Sequence, residues 1–126
     1  MLKKYDGFSE FVTEWLYPNR YQWGVPHFYP QVHFLKMDSE IPLDFIGCIE
    51  KIENDFKKIS KRLGKMYDLK KRNETMAKKK PMKEYYKKES VLKRVKRVYK
   101  EDFDRLGYSR KVEKAKEVPN IKKNYR

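Results

Sequence analysis

The chain has 126 residues, enough for one small domain with a modest core. Lys plus Arg exceed Asp plus Glu by 32 to 18, a formal net charge of +14, which favours polyanionic partners such as nucleic acid, anionic surfaces, sulfated glycans or nucleotide phosphates. Aromatic residues make up 15%, too many for a chain that is disordered throughout, and the single cysteine, Cys48, excludes an intrachain disulfide and a cysteine-rich zinc site.

In chain order, the first element expected is a two-turn helix. Asp6 is a plausible N-cap. Phe8, Phe11, Val12, Trp15 and Leu16 then recur at i, i+3, i+4, i+7 and i+8, and Pro18 ends the run. Tyr17 to Pro30 reads as an aromatic loop punctuated by Gly24, Pro26 and Pro30. The aromatic group Trp15, Tyr17, Tyr21, Trp23, Phe28 and Tyr29 suits either sugar stacking or ordinary packing. Val32 to Leu35 reads as a short strand or a loop laid on the core. The next stretch, Ile41 to Gly64, organises the rest. Leu43, Phe45, Ile46 and Ile49 give a buried-strand signal, interrupted at Gly47. Ile52, Phe56, Ile59 and Leu63 follow at i, i+4, i+7 and i+11, on one face of a helix that Gly64 terminates.

Residues 65–88 form a basic stretch without clear periodicity. Ser90 opens a second clear helix, with Val91, Val95, Val98, Phe103 and Leu106 on its apolar face and Gly107 at its end. The helix that starts near Ile52 is expected to pack on it. If Phe56 is fully buried there, Phe56→Ala should cost about 3–5 kcal/mol. The expected organisation is a domain over 1–108 and a basic, frayed or disordered tail over 109–126. No run approaches a membrane span, and Met1 to Asp6 has no apolar segment of the signal-peptide kind.

Three segments carry a family resemblance. Asp44-Phe45-Ile46-Gly47-x-x-Glu50-x-Ile52-x-x-Asp55-Phe56 resembles the C-terminal half of the membrane-type Golgi carbohydrate sulfotransferases. His27-Phe28-Tyr29-Pro30-Gln31 is similar to that family's His-Trp-x-Pro-Gln segment. Tyr99-Lys100-Glu101-Asp102-Phe103, followed by Gly107-Tyr108, looks like its closing Tyr-x-x-Asp motif. The three lie in family order and span about Phe8 to Tyr108. The resemblance implies an α/β fold: a mostly helical fragment with one or two short strands, the C-terminal half of a P-loop-like sulfotransferase fold. It also implies a Golgi membrane setting, a glycan acceptor, and 3′-phosphoadenosine 5′-phosphosulfate (PAPS) as the donor.

The chemistry that such a donor needs is only partly legible. A backbone cradle and a cation must hold the phosphate that gains charge as the sulfo group leaves. The five glycines are Gly7, Gly24, Gly47, Gly64 and Gly107, and none cluster into a phosphate loop. This implies a missing N-terminal half and a chain without transfer activity alone, and no catalytic residue is assigned. By resemblance, Asn73, Thr75, Lys79 and Lys80 border the nucleotide. A solvated lysine run is the plainer account of the same residues. Cys48 stands where the family usually has Arg and reads as a small buried hydrophobe. His27 and His33 lack companion ligands, so no metal is expected. Two other readings stay open: a small protein binding nucleic acid non-specifically through its lysines and tyrosines, and a non-catalytic binder of sulfated glycans.

Overall fold

The computed structural model describes residues 4–17, 25–72 and 80–121, and every structural statement here concerns those residues. Helix α1 (Phe8–Glu10) runs directly into a π-helical turn, Phe11–Trp15. Thr13 Oγ1 donates to the Ser9 carbonyl at 2.9 Å, and Leu16 N–H reaches back to the Phe11 carbonyl at 3.3 Å. The widened turn points Phe11, Val12 and Leu16 inward. They pack with Val91 and Val98 of α5 (Glu89–Val98) in the first of two cores, flanked by Trp15, Phe28, Tyr86 and Tyr99. Arg94 closes the free end of the π turn, donating to the carbonyls of Thr13 and Leu16 at 3.2 and 3.1 Å. Such charged bonds to terminal carbonyls satisfy acceptors that the helix itself cannot.

The second core holds Val32, Ile41 and Leu106, with Leu35, Leu43, Ile46 and Tyr108 packed around them. Val32 belongs to a short helix, α2 (Gln31–Leu35), where the sequence suggests a strand or loop. The reason lies elsewhere in the chain. Asp102, on α6 (Lys100–Leu106), accepts the backbone N–H groups of Gln31 and Val32, each at 2.8 Å. The cap that α2 needs is thus supplied by a side chain about 70 residues away.

Residues 41–49 correct the expected fold class. Among the described residues there is no β-strand, and the only extended pairing is an isolated bridge, Met37 to Glu40, across a turn with Asp38 at φ 55°. The architecture is helical rather than α/β or P-loop-like. Ile41 and Ile46 still go inward, but as irregular chain wedged between α2 and α6. With no neighbouring strand to accept a ladder, a β-branched run has only its side chains to bury.

A 3₁₀ turn, Ile49–Lys51, leads into α3 (Ile52–Arg62), which ends as the sequence requires, with Gly64 left-handed at φ 70°. The expected packing of α3 on α5 is not a main contact among the described residues. α5 packs chiefly on the π turn and α6, while α3 packs chiefly on its own leading turn. Ile52, Ile59 and Leu63 are 40, 39 and 71% exposed and belong to neither core, and Phe56 is only half-buried. The full burial on which the large Phe56→Ala cost depends is therefore absent.

The Ser90 helix is in fact two. Tyr99, at φ −101° and ψ 25°, separates α5 from α6. Beyond Gly107 the chain forms a 3₁₀ turn, Val112–Lys114, against α4 (Met82–Tyr85), then returns so that Asn120 N–H bonds the Gly107 carbonyl at 3.2 Å.

Candidate functional site

The three motif segments meet. Tyr99 donates its hydroxyl to the Phe28 carbonyl at 3.1 Å, and Asp102 holds the next turn through Gln31 and Val32. The His27–Gln31 segment is thus fastened at two points to the Tyr99–Asp102 segment. Burial, and then the Asp102 charge, push the Tyr99 phenol up to about 12, so it stays a donor throughout the neutral range. Burial also pushes the Asp102 carboxyl above its ordinary value, against the opposing pull of its two backbone donors. These are the fixed letters of the motifs, and their work in this structure is to hold the backbone.

The Asp44–Phe56 segment is fixed by Asp55, which is 2% exposed. Its Oδ2 accepts the Cys48 N–H at 3.0 Å, while the Lys51 and Lys58 ammonium groups lie 3.7 and 3.6 Å from Oδ1. The backbone bond from Cys48, and then the two lysines, hold the Asp55 carboxyl below its ordinary 3.8. The unfolded chain therefore takes up this proton first on acidification. The stabilisation that Asp55 supplies is complete above the ordinary value and disappears as pH falls through the lowered one. We expect the wild type to lose stability on acidification below pH 3.8 more steeply than Asp55→Asn, as read by denaturant midpoints over a pH series.

Cys48 is buried, and its thiol is pushed up chiefly by that burial, with Asp55 and Glu50 adding to the effect and Lys51 opposing it. It is a small packed residue, not an activated nucleophile. Beside it, Glu50 Oε2 is buried with no hydrogen-bond donor among the described residues. Burial, followed by the charges of Glu50 and Cys48, raises the Tyr108 phenol nearby.

Two open clefts share Gln31 and Tyr108. One, of about 390 Å³, is lined by Gly47, Cys48, Asp55 and the apolar side of α3: Ile52, Phe56 and Ile59. The other, of about 490 Å³, lies between the His27–Gln31 segment and α5–α6, with Tyr86, Tyr99, Phe103 and Ser109 in its wall. Gln31, Asp102 and Tyr108 are motif letters in the sequence, but nothing local to them marks a site. Their convergence depends on contacts across some 70 residues. Of the expected nucleotide-bordering residues, Asn73, Thr75 and Lys79 lie outside the described residues. Lys80 is exposed and lines neither cleft, although Met82, two residues on, lines the second. Of the candidate stacking aromatics, Trp15 and Phe28 pack against Phe11 and each other with ring centres 5.0–5.2 Å apart, and Tyr21 and Trp23 lie outside the described residues. No group of three or more His, Cys, Asp or Glu among the described residues could hold a metal ion.

What fold and clefts define is a helical protein whose motif residues fasten two distant segments together and meet the third across a shared cleft. The chain belongs to the sulfotransferase family: the model of the family described as “Sulfotransferase family” matches residues 1–109. That match runs over nearly the whole chain and corrects the expectation that the likeness is to a C-terminal half only. No curated protein and no solved structure matches the chain. The membrane setting attached to the resemblance has no spanning element here, since no helix of the described residues is long and apolar enough to cross a membrane.

Proposed function

We propose that this chain serves PAPS-dependent transfer of a sulfo group to a carbohydrate hydroxyl. The supporting observation is the family match over residues 1–109, within which the three motif segments are drawn together at Gln31, Asp102 and Tyr108. In the reaction the acceptor oxygen forms a bond to sulfur. The bond from sulfur to the 5′-phosphate oxygen breaks, and the hydroxyl proton leaves to a base. Negative charge collects on the departing phosphate, so donors and cations near it lower the barrier. In this proposal Asn73 and Thr75 donate hydrogen bonds to nucleotide phosphate, and Lys79 and Lys80 pair with it.

We further propose that this chain does not complete the reaction unaided. Its five glycines are dispersed, and no strand–loop–helix cradle is legible in the sequence. Two measurements decide between these statements. Calorimetry with adenosine 3′,5′-bisphosphate tests the nucleotide site, and its affinity should fall for Lys79→Ala/Lys80→Ala. Transfer of labelled sulfate from PAPS to a panel of desulfated oligosaccharides tests turnover, and none is expected from the isolated chain. Turnover would overturn the second statement. Absence of any nucleotide binding would remove the chain's direct part in the first.

A further inference from the structure

The second cleft has a neighbour on α2 that neither core uses. Val32 and Leu35 turn inward, which leaves His33 and Phe34 on the outer side, with Phe34 62% exposed. Tyr29 joins them. Its ring stacks on Phe34 at 5.7 Å and 23°, and His33 meets both rings edge-on, at 4.8 Å from Tyr29 and 5.6 Å from Phe34. Single exposed apolar side chains are ordinary, but three rings locked together at the surface form a platform. Tyr29 is also part of the wall of the second cleft, where His27, Gln31, Tyr86 and Ser109 bring hydrogen-bonding groups.

We propose that Tyr29, His33 and Phe34 form a carbohydrate subsite, taking the C–H face of one sugar ring while the adjoining cleft takes the hydroxyls of the next. This rests on the sulfo-transfer reading above and gives its acceptor a place. An apolar platform beside a polar cleft matches a molecule that has one C–H face and a rim of hydroxyls. A polyanion or nucleotide would require available cations at the platform. Lys36, the cation closest to it in sequence, is held by Glu101 at 3.0 Å.

The test uses uncharged sugars, so that the +14 charge does not decide the result. N-acetylchitohexaose and a poly-N-acetyllactosamine hexasaccharide, both neutral, are titrated into the full chain. Aromatic ¹H–¹³C spectra and calorimetry are followed at low and high salt. At least one sugar should shift the rings of Tyr29, His33 and Phe34, with an affinity insensitive to salt. Phe34→Ser should weaken it about tenfold, the equivalent of a lost ring contact. The same variant should keep its affinity for adenosine 3′,5′-bisphosphate and its circular dichroism. The subsite is overturned if neither sugar moves these rings, if binding survives Phe34→Ser unchanged, or if the bisphosphate is what moves them. If a sugar binds here but no assembled enzyme transfers sulfate to it, the subsite stands and the sulfo-transfer reading falls.

Discussion

Asp102→Ala should destabilise the protein by about 2–4 kcal/mol, because it strands two backbone donors at once. The Val32 N–H is fully inside, and the Gln31 N–H is partly so. An unsatisfied donor there loses its water as well as its acceptor, and a domain of this size has few kcal/mol to lose. The loss should reach beyond α2. Val32 is completely buried against Ile41 and Leu106, so unravelling α2 opens the second core. A double-mutant cycle separates this cap from general damage. Gln31→Pro removes one of the two donors at a first helical position, where proline is tolerated, and Pro30 already has the extended backbone (ψ 140°) that a following proline demands. Asp102→Ala should therefore cost less in the Gln31→Pro background than in the wild type, by denaturant unfolding. Equal costs in the two backgrounds would mean that the carboxylate does not hold the Gln31 N–H.

Gly107→Ala should cost more than Gly64→Ala, although both glycines end helices in the left-handed region, at φ 72° and 70°. The backbone contribution is shared, about 1–2 kcal/mol for a residue with a Cβ. The surroundings are not. A Cβ on Gly64 meets nothing within 4 Å, whereas one on Gly107 falls 2.1 Å from the Asn120 carbonyl oxygen. Backbone atoms must then part, and the hydrogen bond from Asn120 N–H to the Gly107 carbonyl goes with them. Removing residues 110–126 should return Gly107→Ala to the cost of Gly64→Ala. Identical costs in the full-length chain would show that the returning segment does not lie against Gly107 in solution.

Family membership rests on letters whose physical work becomes plain only in three dimensions. Tyr99, Asp102 and Asp55 each hold a backbone group: the Phe28 carbonyl, the Gln31 and Val32 amides, and the Cys48 amide. None of these contacts needs a substrate. Motif letters of this kind position clefts, and the groups that face the clefts, such as Gln31, Tyr108 and Tyr29, are their neighbours.

The sequence by itself determined the helices with a strong local signal. The 3.6-residue spacing marks α3 and α5, the aromatic spacing from Phe8 to Leu16 marks the first helix, and Gly64 and Gly107 mark two helix ends, because these signals act within one or two turns. Tertiary structure decided what those signals cannot contain. Residues 41–49 have the side chains of a strand but no strand beside them, so Ile41 is buried and Ile46 half-buried without a ladder. Val32 to Leu35 has no local cap and becomes a helix because Asp102 reaches it from α6. The apolar stripe of α3 predicts a buried face, yet the cores close between the other helices and leave it lining an open cleft. Periodicity fixes which side chains share a face, but what that face meets depends on contacts between residues far apart in the chain.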